Sequence, residues 1–279
     1  MSATDTETTT IIRDLGDHGT LEYRETARSR GYYLASPGEP KPKRLVSVTT
    51  VLGILAKPAL LRWSEDWGAR GALAAVRMGE LDPKVHHDDE AVGIVRTLGL
   101  GADAAKSKAA TRGLTVHDSL QSWAEGGDLP DPADMDPEHR PYLRGLMNAL
   151  LALDPEPTVV EQVTCHPELG FAGRLDLRAI VDGQDTILDL ATNISARGYP
   201  EKHVQCRGYE SAEMALGAPP ADRIIIIGVG AEGQFNADEC TAPFGAFERV
   251  LEVQRMMADV GRPLDAMKRA EAKARKAAA

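Results

Sequence analysis

The sequence predicts an α/β fold in which helices flank a mixed central β-sheet. Its clearest element is a hairpin, because Asp182-Gly183 separates two runs of alternating apolar residues and suits a two-residue type I′ turn. A strand at residues 158–165 precedes the hairpin, and a helix at residues 201–216 and an apolar strand at Arg223–Val229 follow it. With helices predicted before these elements, the chain order favours a sheet covered by helices.

The N-terminal half is predicted to be helical after a short β region. Residues 1–10 are expected to be disordered, and weak alternation in residues 21–35 predicts a pair of strands. The helical part then spans about residues 50–153. Its first helix is capped by Ser47 or Thr49, and its other helices are predicted after Pro58 and at about residues 103–112, 115–125 and 141–153.

The hairpin fixes a register that brings two carboxylates together. With the Asp-Gly pair as the loop, Leu177 faces Leu188 on one side of the hairpin and Asp176 faces Asp189 on the other. Directly opposed residues have Cβ atoms about 4.5–5.5 Å apart, where two carboxylates repel unless they share a proton or bind a cation. The pair therefore indicates a divalent-metal site, and the alternative is that both aspartates face solvent.

Composition indicates a soluble globular protein without a membrane partner. The chain has 279 residues, of which 43% are hydrophobic and 27% are charged. No apolar run approaches the roughly 20 residues of a membrane span, and the first residues do not resemble a signal peptide. A cytoplasmic location is therefore expected.

Charge and cysteine content exclude two further classes. The net charge of −10 argues against a non-specific nucleic-acid coat, although basic groups need only line one groove of a nuclease. The acidic stretches at residues 82–90 and 128–138 are expected in exposed loops. Three isolated cysteines cannot supply the four thiolates of an iron–sulfur cluster, so no such cluster is expected.

Several short motifs occur in a fixed order around the hairpin. They are Gly173-x-x-Asp176, then Asp189-Leu190-Ala191-Thr192, then Gln205-x-x-x-Tyr209. Together they resemble the PD-(D/E)XK nucleases, specifically the RecB-like exonuclease branch common in phages and recombination enzymes. Upstream, residues 112–117 are similar to the G-x-x-x-H segment of that branch, and residues 47–52 to the opening of its phage members. The resemblance spans more than half of the chain.

The resemblance implies a fold and a metal site. A single nuclease-like domain would span residues 11–261, with a restriction-endonuclease-like core at about residues 157–230, N-terminal helical additions and a charged, frayed helical tail at residues 262–279. A Mg²⁺ or Mn²⁺ ion would be held by His117, Asp176, Asp189 and the main-chain carbonyl of Leu190. The family sometimes places a glutamate at the position of Glu161, but a surface charge is favoured there.

One position departs from the family pattern, because the catalytic lysine of relatives is Ala191 here. That lysine supplies a cation that orients the nucleophile and stabilises developing charge. Metal and DNA binding are therefore expected to survive while turnover is severely impaired. Since the surrounding motifs are intact, an engineered replacement is favoured over a natural one. Gln205 and Tyr209 are expected to position the metal-bound water or a DNA phosphate.

The expected function is metal-dependent exonucleolytic hydrolysis of DNA with free ends, in a form impaired at residue 191. A recombination partner protein or a homo-oligomer is also compatible with the family, and a phage-encoded member would act in the host cytoplasm. Two alternatives stay open: a natural non-cleaving DNA-binding or scaffold protein that keeps the fold, and an unrelated domain with a fortuitous hairpin. Candidate DNA contacts are Arg174, which faces residue 191 in the hairpin register, Thr192, Arg112, Arg197 and Lys202.

Overall fold

The computed structural model describes residues 9–26, 29–55 and 58–278, except for the side chains of residues 58, 59, 197 and 273–278. The described residues form a nine-stranded mixed sheet with helices against it, which confirms the α/β class. The strands are β1 (Thr9–Asp14), β2 (Thr20–Thr26), β3 (Ser29–Ala35), β4 (Lys43–Ser47), β5 (Glu156–His166), β6 (Phe171–Val181), β7 (Gln184–Ala191), β8 (Arg223–Val229) and β9 (Phe235–Glu239). The helices are α1 (Val48–Val51), α2 (Pro58–Arg77), α3 (Asp88–Thr97), α4 (Ala102–Ala124), α5 (Arg140–Leu153), α6 (Pro200–Ala215) and α7 (Ala246–Ala278).

Strand β6 is the branch point of the sheet. Antiparallel β5 pairs along one edge of β6, from Phe171 to Ile180. The other edge is shared, because β4 pairs in parallel at Phe171 and Ala172 and β7 pairs antiparallel from Leu177 to Val181. Between these two ladders, residues 173–176 have no strand partner on that edge among the described strands. The sheet therefore contains a local gap beside the middle of β6.

The sheet buries a core on each of its faces. Residues of β7 and β8 alternate between the two cores, as the two-residue period of a strand requires. Ile187 and Ile226 belong to the core under α6 and α7, whereas Leu188 and Ile225 belong to the core under α4 and α5. Both faces of the central strands are consequently covered by helices, which explains why residues 224–229 are continuously apolar.

The hairpin prediction is confirmed at its turn and wrong at its far end. Asp182 and Gly183 have φ values of 52° and 75°, as a type I′ turn requires, and the ladder runs to the predicted Leu177–Leu188 pair. There it stops, because the two strands diverge. The predicted opposition of Asp176 and Asp189 is therefore wrong, and Asp189 is the partner of Ile226 in β8.

The divergence also leaves two predicted site positions paired only on their outer edges and not with each other. Ala191 pairs with Gly228 in β8, and Arg174 pairs with Val163 in β5. The predicted cross-strand pairing of Arg174 with residue 191 is wrong for the same reason. These two residues belong to different parts of the sheet edge around the gap.

Most of the predicted elements near the hairpin are confirmed, whereas the peripheral ones differ. Strands β1, β4 and β9 were not predicted, and residues 9 and 10, which were expected to be disordered, lie in β1. Residues 1–8 of that prediction lie outside the described residues. The stretch expected as a loop at residues 82–90 overlaps the start of α3. The confirmed elements are the strand pair within residues 21–35, β5, β8, α2, α5 and α6.

Two helical predictions need correction. The two helices expected at residues 103–112 and 115–125 are one helix, α4, since an interior glycine such as Gly113 costs a helix only about 1 kcal/mol. Helical spacing after Pro58 favours a core position for Trp67, but 37% of Trp67 is exposed. The helical character expected for the tail at residues 262–279 is confirmed for its described residues, because α7 continues to Ala278, and its fraying stays a prediction. None of the described helices combines the length and apolar character that a membrane crossing needs.

Candidate metal centre

The gap in the sheet is bridged by the side chain of Asp176. Its Oδ2 atom accepts a hydrogen bond from the main-chain nitrogen of Leu190, at 2.8 Å. This bond connects β6 to β7 just beyond the point where their ladder ends. The carboxylate is thereby fixed in the gap, between the two core-covering helix layers.

Three potential ligands meet at this point, and we call them the three-residue cluster: His117 of α4, Glu161 of β5 and Asp176 of β6. The Nδ1 atom of His117 lies 3.6 Å from Asp176 Oδ2 and 3.7 Å from Glu161 Oε1. One ligand atom of each residue lies within 4.8 Å of the others. Imidazole and carboxylate donors at this spacing can share one Mg²⁺ or Mn²⁺ ion.

Glu161 is the member of the cluster whose exposure was predicted wrongly. The residue is only 8% exposed, so the expected surface charge is wrong. The β5–β6 pairs on either side place Glu161 opposite Asp176. Its φ of 42° lies in the left-handed region, which costs a residue other than glycine about 1–3 kcal/mol and is often retained at functional sites.

The carboxylate of Glu161 has capacity to receive a cation. Arg174 Nε lies 2.7 Å from Glu161 Oε2, forming an ion pair. Among the described residues, neither carboxylate oxygen of Glu161 has a hydrogen-bond partner of good geometry, although both are buried. Buried polar atoms normally have such partners, and a divalent cation satisfies carboxylate oxygens equally well. The donor set therefore fits a hard divalent metal.

Asp189 lies beside the three-residue cluster and has two partners from α6. It is 1% exposed, its Oδ2 atom lies 2.5 Å from Lys202 Nζ, and its Oδ1 atom accepts a 3.3 Å hydrogen bond from Gln205 Nε2. Burial disfavours the ammonium, but Asp189 and Asp176 outweigh burial and raise the pKa of Lys202. The pair is thus a buried carboxylate held by a charged lysine.

The protonation of His117 depends on its acidic neighbours. Burial disfavours the imidazolium, but the carboxylates of Asp176 and Glu161 outweigh burial and raise the pKa of His117 to about 9. The metal-free protein therefore carries a protonated His117 at neutral pH. Because only the neutral imidazole binds a metal, binding must displace this proton.

Without divalent metal, the free energy of unfolding is expected to fall as the pH rises from 6.5 towards 9. The folded pKa of His117 is about 9 and its ordinary value is 6.5, so its proton stabilises the folded state fully below pH 6.5, and this stabilisation is lost as the pH rises through 9. The full effect is of the order of 3 kcal/mol. Urea unfolding with a chelator, at several pH values, measures it. His117→Gln is the control, and equal pH slopes in both proteins would contradict the expectation.

Helix α6 places Gln205 and Tyr209 next to the gap. Gln205 Nε2 donates a 2.8 Å hydrogen bond to the Tyr209 hydroxyl oxygen in addition to its bond with Asp189. Tyr209 is 5% exposed, and its ring packs against the backbone of Gly173. Tyr209 therefore packs under the sheet and also holds the side chain that reaches Asp189. The predicted positioning of water or phosphate by this pair stays a prediction.

The other predicted site residues are dispersed around the gap. Ala191 is 8% exposed, and the ligand role of the Leu190 carbonyl stays a prediction. The guanidinium of Arg112 lies 4.1 Å from the centre of the Tyr142 ring. Thr192 approaches α4 at Gly113. The Arg197 side chain lies outside the described residues.

A cavity of about 580 Å³ opens beside the three-residue cluster. His117 and Asp176 form part of its wall, and the N-terminal strands and α1 form the opposite side. The resemblance associated residues 47–52 with the nuclease pattern, but no sequence pattern associated β2 and β3 with the site, since they are remote from it in sequence. Further wall residues are Tyr23, Arg30, Ser47, Thr50 and Arg174.

No model of a known protein family matches the chain, and no curated protein matches it either.

Proposed function

We propose that this chain is a divalent-metal-dependent deoxyribonuclease with a restriction-endonuclease-like core, and that it degrades DNA from free ends. The observation that carries the proposal is the convergence of His117, Glu161 and Asp176 at a gap in a mixed sheet, beside a cavity. The order of the sequence motifs around the same gap supports the exonuclease assignment.

The chemistry of the residues fits phosphodiester hydrolysis. A bound Mg²⁺ or Mn²⁺ ion would polarise the phosphate and lower the pKa of a bound water. His117, Glu161 and Asp176 would hold the ion. Gln205, which hydrogen-bonds to Tyr209 and Asp189, would orient a group at the edge of the cluster.

The adjoining cavity supports a nucleic-acid substrate. Its volume lies within the roughly 300–1,000 Å³ of ligand sites. Arg30 and Arg44 bring positive charge to its wall, and Ser47 and Thr50 bring hydroxyl groups. Cations and hydroxyls are the usual protein partners of backbone phosphates, so the cavity suits one strand of DNA.

A second candidate is a non-cleaving DNA-binding or scaffold protein, and the ion pairs of the site favour it. Arg174 and Lys202 already lie at 2.7 Å and 2.5 Å from Glu161 and Asp189. Two cations so placed offset two of the carboxylates in the absence of a metal. Ala191 also lacks the ammonium that relatives carry on this strand.

Incubation with linear single-stranded, linear double-stranded and circular DNA separates the two candidates. We expect Mn²⁺-dependent degradation of a linear substrate, no degradation of the circle, and complete inhibition by chelator. Asp176→Asn is the matched control, because it keeps the shape of the side chain and removes its charge. Binding of DNA without cleavage of any substrate would support the scaffold candidate and contradict the nuclease.

A further inference from the structure

Lys202, near the start of α6, forms an ion pair with the buried Asp189. Its Nζ atom lies 2.5 Å from Asp189 Oδ2, and its side chain is 23% exposed whereas that of Asp189 is 2% exposed. Gln205, three residues later on the same helix, holds the other oxygen of Asp189. One face of α6 therefore binds both oxygens of this carboxylate. Of its two partners on that face, only Lys202 is charged.

The strand position two residues after Asp189 carries a small apolar residue and no cation. Ala191 is 8% exposed and belongs to an apolar cluster with Cys206 and Tyr209 of α6. The helix thus covers the strand position with apolar groups and brings its own ammonium to the carboxylate.

We propose that Lys202 supplies the ammonium of the hydrolytic site in place of a lysine on the strand. This inference rests on the proposed nuclease function. The four-carbon stem of lysine allows an ammonium to reach the same carboxylate from a neighbouring helix, since the position of the charge matters and its attachment point does not. Ala191 is then compatible with turnover, contrary to the impairment expected from the sequence motif.

Arg174 does not serve this role equally well. Its guanidinium is paired with Glu161 and lies 5.9 Å from the centre of the Tyr23 ring. A guanidinium also spreads its charge over a planar fork, whereas the ammonium of a lysine is a compact point charge. Lys202 is therefore the cation best placed beside Asp189 among the described residues.

A relocation experiment tests the inference with four proteins: the unmodified chain, Lys202→Met, Ala191→Lys, and the double variant Ala191→Lys/Lys202→Met. Each is assayed for Mn²⁺-dependent degradation of linear DNA and for the rise in melting temperature that Mn²⁺ causes. We expect the unmodified chain to degrade DNA and Lys202→Met to lose at least about 100-fold in rate while keeping the Mn²⁺-induced rise. The double variant is expected to recover most of the loss.

A Lys202→Arg variant distinguishes this role from a purely structural ion pair. Arginine keeps the charge and the ion pair with Asp189, so a structural role predicts full activity. A guanidinium spreads its charge over a planar fork and cannot hold it at one point as an ammonium does, so the proposed role predicts a loss comparable to that of Lys202→Met. This variant also serves if Lys202→Met does not fold.

The remaining outcomes separate the inference from the proposed function. Undiminished activity in Lys202→Met and Lys202→Arg would overturn the role of Lys202 and leave the nuclease function standing. An inactive unmodified chain that Ala191→Lys alone activates would overturn it in favour of a strand lysine. Inactivity of every protein, with Mn²⁺ and DNA still bound, would overturn the nuclease function itself.

Discussion

Replacing Gly173 with Ala is expected to lower the free energy of unfolding by about 2–3 kcal/mol, within the range of overpacked cores. A Cβ atom at this position would lie 2.5 Å and 2.9 Å from two ring carbons of Tyr209, and 3.2 Å from a methyl carbon of Val48. The Tyr209 ring is 5% exposed, so it has little free space into which to move. Because the Tyr209 hydroxyl holds Gln205, the same change is expected to disturb the contact with Asp189.

Urea denaturation of matched variants measures this effect. Gly68→Ala in α2 is the control, since an added Cβ meets nothing within 4 Å there and alanine favours a helix by up to about 1 kcal/mol. In a Tyr209→Ala background the cost of Gly173→Ala should largely disappear, because the clashing ring is gone. An equal cost in both backgrounds would show that the ring is not the cause.

The parts of the fold that could be predicted are those that local chemistry determines. The Asp182-Gly183 turn needs two positive φ values, and few other residue pairs provide them, so the turn and the pairs next to it were predictable. The apolar run of β8 was predictable because a strand buried on both faces has no polar period. Neither inference required knowledge of distant contacts.

The hairpin sequence alone could not show whether Asp176 and Asp189 face each other. An Asp-Gly hairpin predicts pairing that continues along both strands, but β4 joins the edge of β6 from more than 100 residues upstream and β7 turns towards β8. The divergence results from these tertiary pairings. No sequence pattern within the hairpin indicates this divergence.

Glu161 could have been found from a second register. The pair of His166 with Phe171 begins the β5–β6 ladder. Five residues further from this pair on each strand, Glu161 of β5 lies opposite Asp176 of β6. The short connection at residues 167–170 was the available signal. What no sequence pattern indicates is the contact of Lys202 with Asp189, because it depends on where α6 lies against the sheet.

Asp176→Asn and Glu161→Gln are each expected to abolish the rise in melting temperature that Mn²⁺ causes in the natural protein. At a free Mn²⁺ concentration 100-fold above the dissociation constant, binding to the folded state adds about 2.7 kcal/mol to the unfolding free energy. Loss of one of two ligand carboxylates removes most of this affinity, since the amides carry no charge to offset that of the ion.

Asp182→Asn is the matched control for these variants. It makes the same chemical change in an exposed residue of the hairpin turn, where asparagine is well tolerated. Its Mn²⁺-induced rise should equal that of the natural protein. Equal rises in all of the variants would place the ion elsewhere.

Pulsed electron paramagnetic resonance of the Mn²⁺-bound protein tests the metal centre most directly, because it detects the atoms that bind the ion. The geometry of His117, Glu161 and Asp176 predicts one bound Mn²⁺ with hyperfine coupling to a ligand nitrogen, and loss of that coupling in His117→Gln. A Mn²⁺ spectrum without nitrogen coupling, or a coupling that persists in His117→Gln, would contradict the proposed centre.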